Sequence, residues 1–161
     1  MSARTECSVR IDAPMDLVWD MTNDVESWTE LFTEYARVDV LERRGDTVRF
    51  RLTMHPDEDG RVNTWVSLRT ADPATRTVRA HRVETGPFAF MRLFWDYRET
   101  DGGVEMRWVQ EFHVREEMPF DDQAMAAHLE KNSAVQMAHI KERVEAAAAS
   151  RTAARRTVEK R

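Results

Sequence analysis

The sequence is poor in the features that mark several large classes of protein. It has a single cysteine, Cys7, so no disulfide can form within the chain, which fits a reducing compartment. No apolar run approaches the roughly 18 residues that span a membrane, and the first residues contain no apolar signal region. We therefore expect a cytoplasmic protein without a membrane partner.

Positive charge is also scarce. Lys and Arg number 24 against 29 Asp and Glu, and the formal net charge is −5 at pH 7. Binding a nucleic-acid backbone requires clustered positive charge, so no nucleic-acid partner is expected. The one basic cluster follows the alanine run 146–149. We expect a single domain of residues 1–148 and a frayed or disordered basic tail of residues 149–161, with a binding arm as the alternative for the tail.

The residues that are present fit a globular domain with an unusual aromatic content. Hydrophobic residues make up 42% of the 161 positions and charged residues 33%. Five tryptophans are many for a chain of this length. Large aromatic side chains beyond the needs of a core often line a ligand site, and simple core packing is the alternative.

The hydrophobic pattern predicts an α+β fold. Residues 7–12 alternate as a half-buried strand does, and residues 14–24 and 25–32 predict two short helices. Six period-two segments follow between residues 35 and 112, joined by tight-turn sequences that are too short for crossover helices. A long helix begins after residue 121. This order predicts a seven-stranded antiparallel sheet curved around a C-terminal helix.

Polar residues interrupt the predicted apolar faces of several elements: Ser67, Arg69, Gln110, Asn132 and Gln136. A buried unpaired arginine costs several kcal/mol in a dry core, so we expect Arg69 to project into a cavity between the sheet and the final helix. The alternatives are that Arg69 points outward or pairs with an acid such as Glu84. Each amide, taken singly, can also be a satisfied core residue.

Other catalytic arrangements find no support in the sequence. The five histidines form no HExxH motif or i,i+4 pair, so no metal site is expected. Neither GxSxG, a P-loop nor GxGxxG occurs. No cofactor is therefore predicted.

Several segments, taken in order, form a recognisable set: Ala13-Pro14, Leu17-Val18-Trp19-Asp20, Thr22-Asn23-Asp24, Trp28, Glu30-Leu31-Phe32, Glu34-Tyr35, Trp65-Val66-Ser67, Arg69, residues 76–89 and Met106–Phe112. The chain resembles the monodomain aromatase/cyclases of bacterial aromatic (type II) polyketide synthases, of the tetracenomycin and spore-pigment type. These belong to the START/Bet v 1-like helix-grip superfamily. The resemblance runs from Ala3 to about Ile140. Residues 130–133 are closer to those of other aromatase/cyclases than to those of the tetracenomycin type. This departure affects the far end of the pocket, and hence the length of the polyketide chain.

The resemblance implies an enzyme that receives a poly-β-ketone on an acyl carrier protein, alongside other synthase subunits. It would close the first ring by an aldol condensation between carbons nine and fourteen and aromatise it by loss of water. The resemblance implies Arg69 and Tyr35 as catalytic groups and a set of pocket-wall residues: Trp28, Trp65, Ser67, Met91, Trp95 and Gln110. With Asn132 and Gln136 from the final helix, these are the predicted substrate-binding residues. A non-catalytic carrier of hydrophobic molecules is the main alternative, and a coenzyme Q-binding or stress-response relative is a further one.

Overall fold

The computed structural model describes residues 2–159, with the side chains of residues 2–156. One seven-stranded antiparallel sheet packs against a long C-terminal helix, and short helices follow the first strand, which confirms the predicted fold. The elements in chain order are β1 (Ala3–Ile11), α1 (Met15–Asn23), a 3₁₀ turn (Val25–Ser27), α2 (Trp28–Leu31), β2 (Tyr35–Arg44), β3 (Thr47–Met54), β4 (Thr64–Asp72), β5 (Thr77–Arg82), β6 (Phe88–Thr100), β7 (Gly103–Val114) and α3 (Asp122–Glu159).

The strand order explains how residues far apart in sequence meet. The order across the sheet is β1-β7-β6-β5-β4-β3-β2, so β2 to β7 form a meander and β1 pairs with the last strand. Tight turns make the meander possible, and Gly45 and Gly102 adopt φ values of 57° and 80° in two of them, which glycine tolerates best. Because β1 and β2 lie at opposite edges, α1 and α2 cross from one edge of the sheet to the other.

The inner face of the sheet and one side of α3 form the core. Ile140 and Val144 are fully buried on α3, and Met137 is nearly so. They continue the three- and four-residue spacing that predicted a buried helix face. The side chains of Gln136 and Ser133 are buried on the same face. Polar groups therefore occupy the half of this face that lies nearer the start of the helix.

The predicted tail begins inside a helix. Residues 149–159 continue α3 without a break, and the basic side chain of Arg151 reaches back to Asp16 at 3.1 Å. The boundary expected at residue 148 therefore does not coincide with the end of the helix. Residues 160 and 161 lie outside the described part of the chain. Within residues 2–159, no helix has the length and apolar character needed to cross a membrane.

Candidate active site

A cavity of about 160 Å³ lies between the curved sheet and α3. All ten predicted site residues line it: Trp28, Tyr35, Trp65, Ser67, Arg69, Met91, Trp95, Gln110, Asn132 and Gln136. They come from α2, several strands and α3, so residues from most of the chain surround one space. Three of them come from β4, where the alternation of side chains directs Trp65, Ser67 and Arg69 to the same face of the sheet.

Arg69 is the buried cation of the cavity. Its side chain is 4% exposed, and its guanidinium carbon lies 5.2 Å from the ring centre of Trp28 and 4.8 Å from that of Trp95. Nη1 donates to Oδ1 of Asn23 at 2.6 Å, whereas Nη2 is buried without a hydrogen-bond partner among the described residues. Burial lowers the pKa of Arg69 to about 10, so the group still carries its charge at neutral pH.

The alternative placements of Arg69 are wrong. The side chain does not face outward, because it is almost completely buried. Glu84 is not its partner either, since that carboxylate forms a two-pronged ion pair with Arg51 on the surface, at 2.9 and 3.0 Å. A buried donor without a partner costs about 1–3 kcal/mol. Buried donors without a partner are uncommon in folded proteins, and a catalytic or ligand-binding role is one explanation for such a group.

Tyr35, the first residue of β2, is a second polar group of the cavity wall. Burial, followed by the neighbouring carboxylate of Glu34, raises the pKa of the Tyr35 hydroxyl well above its usual range. The phenol therefore remains protonated and can donate a hydrogen bond or a proton. Its ring lies nearly parallel to that of Trp28, with 6.2 Å between the ring centres, and this contact restricts its position.

Aromatic rings form much of the wall. Trp95 stacks on Trp108 with ring centres 4.7 Å apart, and Trp28 lies nearly parallel to Trp95 at 5.9 Å. Trp65 completes the set of four tryptophans that line the cavity. The fifth, Trp19, packs elsewhere against Tyr97 at 5.0 Å. Four of the five tryptophans thus serve both the core and the cavity, and the two sequence interpretations do not exclude each other.

The three predicted amides have different partners. Gln136 exchanges two hydrogen bonds with Thr33, at 2.9 and 2.8 Å, and so joins α3 to the segment before β2. Asn132 donates to Glu34 at 2.9 Å. The oxygen of Gln110 accepts from the hydroxyl of Thr5 at 2.9 Å, while its Nε2 makes no hydrogen bond within the described residues. Gln110 is therefore the amide best able to donate to a ligand.

Sequence reasoning missed several residues of the cavity wall, among them a second arginine. Arg82 lies with its guanidinium 4.0 Å from the ring centre of Trp65, and no carboxylate forms an ion pair with it among the described residues. Burial lowers its pKa to about 10. Glu34 faces the same region, and burial raises the pKa of its carboxyl. Arg82 shares the alternating face of Val78, a signal that was present in the sequence.

Trp108 was also missed as a site residue. Its Nε1 is buried without a partner, the second such donor among the described side chains after Arg69 Nη2. Both belong to residues that line the cavity. Trp108 precedes Gln110 on the same strand face, which could have indicated its position. No group of three or more His, Cys, Asp or Glu is placed to hold a metal ion in the described part of the chain.

The fold and the cavity define a helix-grip domain with a charged donor in an aromatic pocket. The chain belongs to the family described as polyketide cyclase/dehydrase and lipid transport, whose model matches residues 2–145. It is 54% identical over 145 residues to a protein of Streptomyces cyaneus named as a polyketide cyclase, covering 90% of this chain and 95% of that one. A Streptomyces halstedii protein named in the same way is 64% identical over 109 residues, covering 68% of this chain and all of the other.

Solved structures agree with this family. The Zhui aromatase/cyclase from Streptomyces sp. R1128 is 25% identical and superposes with a TM-score of 0.80, covering 90% of this chain and 94% of that one. A START superfamily protein from Mycobacterium smegmatis has the same fold at 12% identity, with a TM-score of 0.68, covering 91% of this chain and 97% of the other. The resemblance stated from the sequence is confirmed.

Proposed function

We propose that this protein is a polyketide cyclase that closes and aromatises the first ring of a poly-β-ketone inside the cavity. The proposed ring joins carbons nine and fourteen of a chain delivered by an acyl carrier protein. Family membership and the names of the relatives support the cyclase class. One observation carries the mechanism. The buried cation Arg69 keeps a hydrogen-bond donor unpaired in an aromatic cavity.

Arg69 would act on the ketone that is attacked. In an aldol condensation a methylene carbon loses a proton and bonds to the carbonyl carbon, and the electron pair of the carbonyl moves to its oxygen. The methylene between two ketones is already acidic, so its proton can pass to solvent without a strong protein base. A fixed guanidinium stabilises the negative charge that develops on the oxygen, and does so more strongly among buried aromatic side chains than in bulk water.

Tyr35 would act on the same oxygen afterwards. The alkoxide takes up one proton to become an alcohol. The phenol of Tyr35, which burial keeps protonated, can supply it because an alkoxide is a stronger base than a phenolate. The phenolate then regains the proton that the methylene released. Loss of that hydroxyl with a neighbouring hydrogen releases one water and leaves a double bond. Enolisation of the remaining ketones then completes the aromatic ring, so no oxidant or cofactor is needed.

The size and walls of the cavity fit this chemistry. A volume of about 160 Å³ is close to that of cavities which take up one benzene ring, so a first ring can form at this position. The nearly parallel tryptophan rings can stack on a planar aromatic product and therefore favour it over a non-planar polyketide chain. Selecting one folded arrangement of a flexible polyketide also lowers the entropic cost of ring closure.

A carrier of hydrophobic molecules is the second candidate, since the family also includes lipid transport proteins. A carrier needs the apolar walls but has no need for the positive charge of Arg69. The two functions therefore respond differently to a variant in which that charge is removed and the walls are kept.

Reconstitution with a minimal polyketide synthase and its acyl carrier protein tests the proposal. We expect the wild-type protein to direct the chain to one first-ring product. Arg69→Met, which keeps most of the side-chain volume, should shift the products toward spontaneously cyclised compounds. Arg79→Met is the matched control, because Arg79 lies exposed on the outer face of the sheet over the ring of Phe94. An unchanged product profile for Arg69→Met would exclude the proposed role and favour the carrier.

A further inference from the structure

The last turn of α1 holds the Arg69 guanidinium. Asn23, the final residue of this helix, accepts the short hydrogen bond from Arg69 Nη1 at 2.6 Å. Its own amide nitrogen donates to the backbone oxygen of Trp19 at 2.8 Å. Because that bond fixes which end of the amide faces the helix, the oxygen of Asn23 is the end directed at Arg69.

A second neutral oxygen faces the same guanidinium from β6. The hydroxyl of Thr22 donates its one proton to the backbone oxygen of Val18 at 2.7 Å, so it can only accept from Tyr97, which lies 2.7 Å away. The proton of Tyr97 is therefore directed at Thr22. Its lone pairs remain available to Arg69, which is near enough for the two groups to affect each other's pKa.

These partners carry no formal charge. A carboxylate in the place of the Asn23 amide would form a buried ion pair with Arg69 and cancel most of its positive field. An amide oxygen and a phenol oxygen orient the guanidinium through dipoles, and the carboxyl end of a helix adds a further favourable dipole. Arg69 is thus held in one position while its charge remains uncompensated.

The same turn also positions a wall of the cavity. The indole nitrogen of Trp28 donates to the backbone oxygen of Thr22 at 3.2 Å, and Trp28 is one of the two rings beneath the Arg69 guanidinium. Residues 22 and 23 therefore set both the cation and the ring that contacts it. The Thr22-Asn23-Asp24 segment stood out in the sequence, and this arrangement gives the first two of its residues a role.

We propose that Asn23 is a positioning residue, which fixes the Arg69 guanidinium through a neutral oxygen and leaves its positive charge available to a ketone or enolate oxygen in the cavity. The proposal rests on the cyclase function and adds how Arg69 is kept both oriented and unneutralised. It explains why the chain has an amide at position 23, where aspartate would bind arginine more strongly.

The test uses benzoylacetone, a small aromatic β-diketone whose enolate has its own ultraviolet absorption. Tryptophan fluorescence measures its binding, and absorbance against pH gives the pKa of the bound dione. We expect the wild-type protein to lower that pKa by about 1 unit or more relative to free benzoylacetone, as a nearby cation does. Asn23→Asp should abolish most of the shift, while Asn63→Asp, the same change at an exposed position, should leave it intact.

A second variant separates the effect of the Arg69 charge from the effect of the position of its guanidinium. It also remains informative if Asn23→Asp folds poorly. Asn23→Ala keeps the Arg69 charge but removes its anchor. We expect the pKa of the bound dione to stay lowered, while the fraction of correctly closed product falls several-fold in the reconstituted synthase. The proposal is overturned if the wild-type protein fails to bind benzoylacetone or to lower its pKa. It is also overturned if Asn23→Asp lowers the pKa of the bound dione as much as wild type does, or if Asn23→Ala retains the wild-type product profile. The dione readout does not depend on product formation, so failure of this proposal and failure of the cyclase function can be told apart.

Discussion

Replacing the buried cation should make the protein more stable while it removes the proposed activity. Burial lowers the pKa of Arg69 to about 10, a fall that corresponds to about 3 kcal/mol of unfavourable free energy for the charged form. Methionine fills a similar volume without that cost. The change also removes the hydrogen bond to Asn23, which is worth about 1.5 kcal/mol because its donor is charged. We therefore expect Arg69→Met to gain about 1–2 kcal/mol in the free energy of unfolding.

Urea denaturation at neutral pH measures this gain directly, and thermal denaturation should show Tm rising by about 2–8 °C. The folded-state pKa of an arginine is depressed here, so the cost of the charge is present in full below about pH 10 and lessens above it. The difference between the two proteins should narrow accordingly at high pH. Arg79→Met should change stability by less than about 0.5 kcal/mol. A loss of about 2 kcal/mol or more in Arg69→Met would contradict this expectation and show that Arg69 stabilises the fold.

Two further predictions concern the other polar residues of the wall. Tyr35→Phe removes only a hydroxyl, so folding should persist while the yield of dehydrated product falls by about 10²-fold; an unchanged ratio of dehydrated to hydrated products would exclude Tyr35 as the proton donor. Burial raises the pKa of Glu34, so stability is lost as the pH rises above the ordinary carboxyl pKa of the unfolded chain, and the loss is complete above the raised folded-state value. Glu34→Gln should therefore be more stable than wild type at about pH 8 and similar to it at about pH 4, where the carboxyl is protonated in both states. Equal stability at both pH values would contradict a buried, costly carboxylate.

Hydrophobic periodicity predicted the inward-facing residues best in those strands and helices that bury one face. The alternation in residues 65–69 put Arg69 on the inner face of β4, and the meander follows from turn sequences that leave no room for crossovers. The spacing on α3 likewise directed Gln136 inward. Such patterns are local, so they appear in the sequence whatever lies across the cavity.

Contacts between elements that are far apart in the chain could not be predicted from these local patterns. Asn23 and Arg69 are separated by 46 positions, and nothing in either segment specifies that a helix end meets β4. Arg82 shares the alternating face of its strand, but alternation does not tell whether the end of a strand lies in solvent or at a cavity. The sequence also left open how far α3 continues beyond residue 148, because an alanine-rich basic segment can be helical or frayed with the same composition.

The proposed mechanism requires the unpaired donor of Arg69 to bind the oxygen of the reacting ketone. A crystal structure of the protein with benzoylacetone tests this most directly. We expect a ketone oxygen about 3 Å from Arg69 Nη2, with the phenyl ring against Trp28 and Trp95. A dione bound with both oxygens directed at Arg82, and Arg69 Nη2 still without a partner, would contradict it.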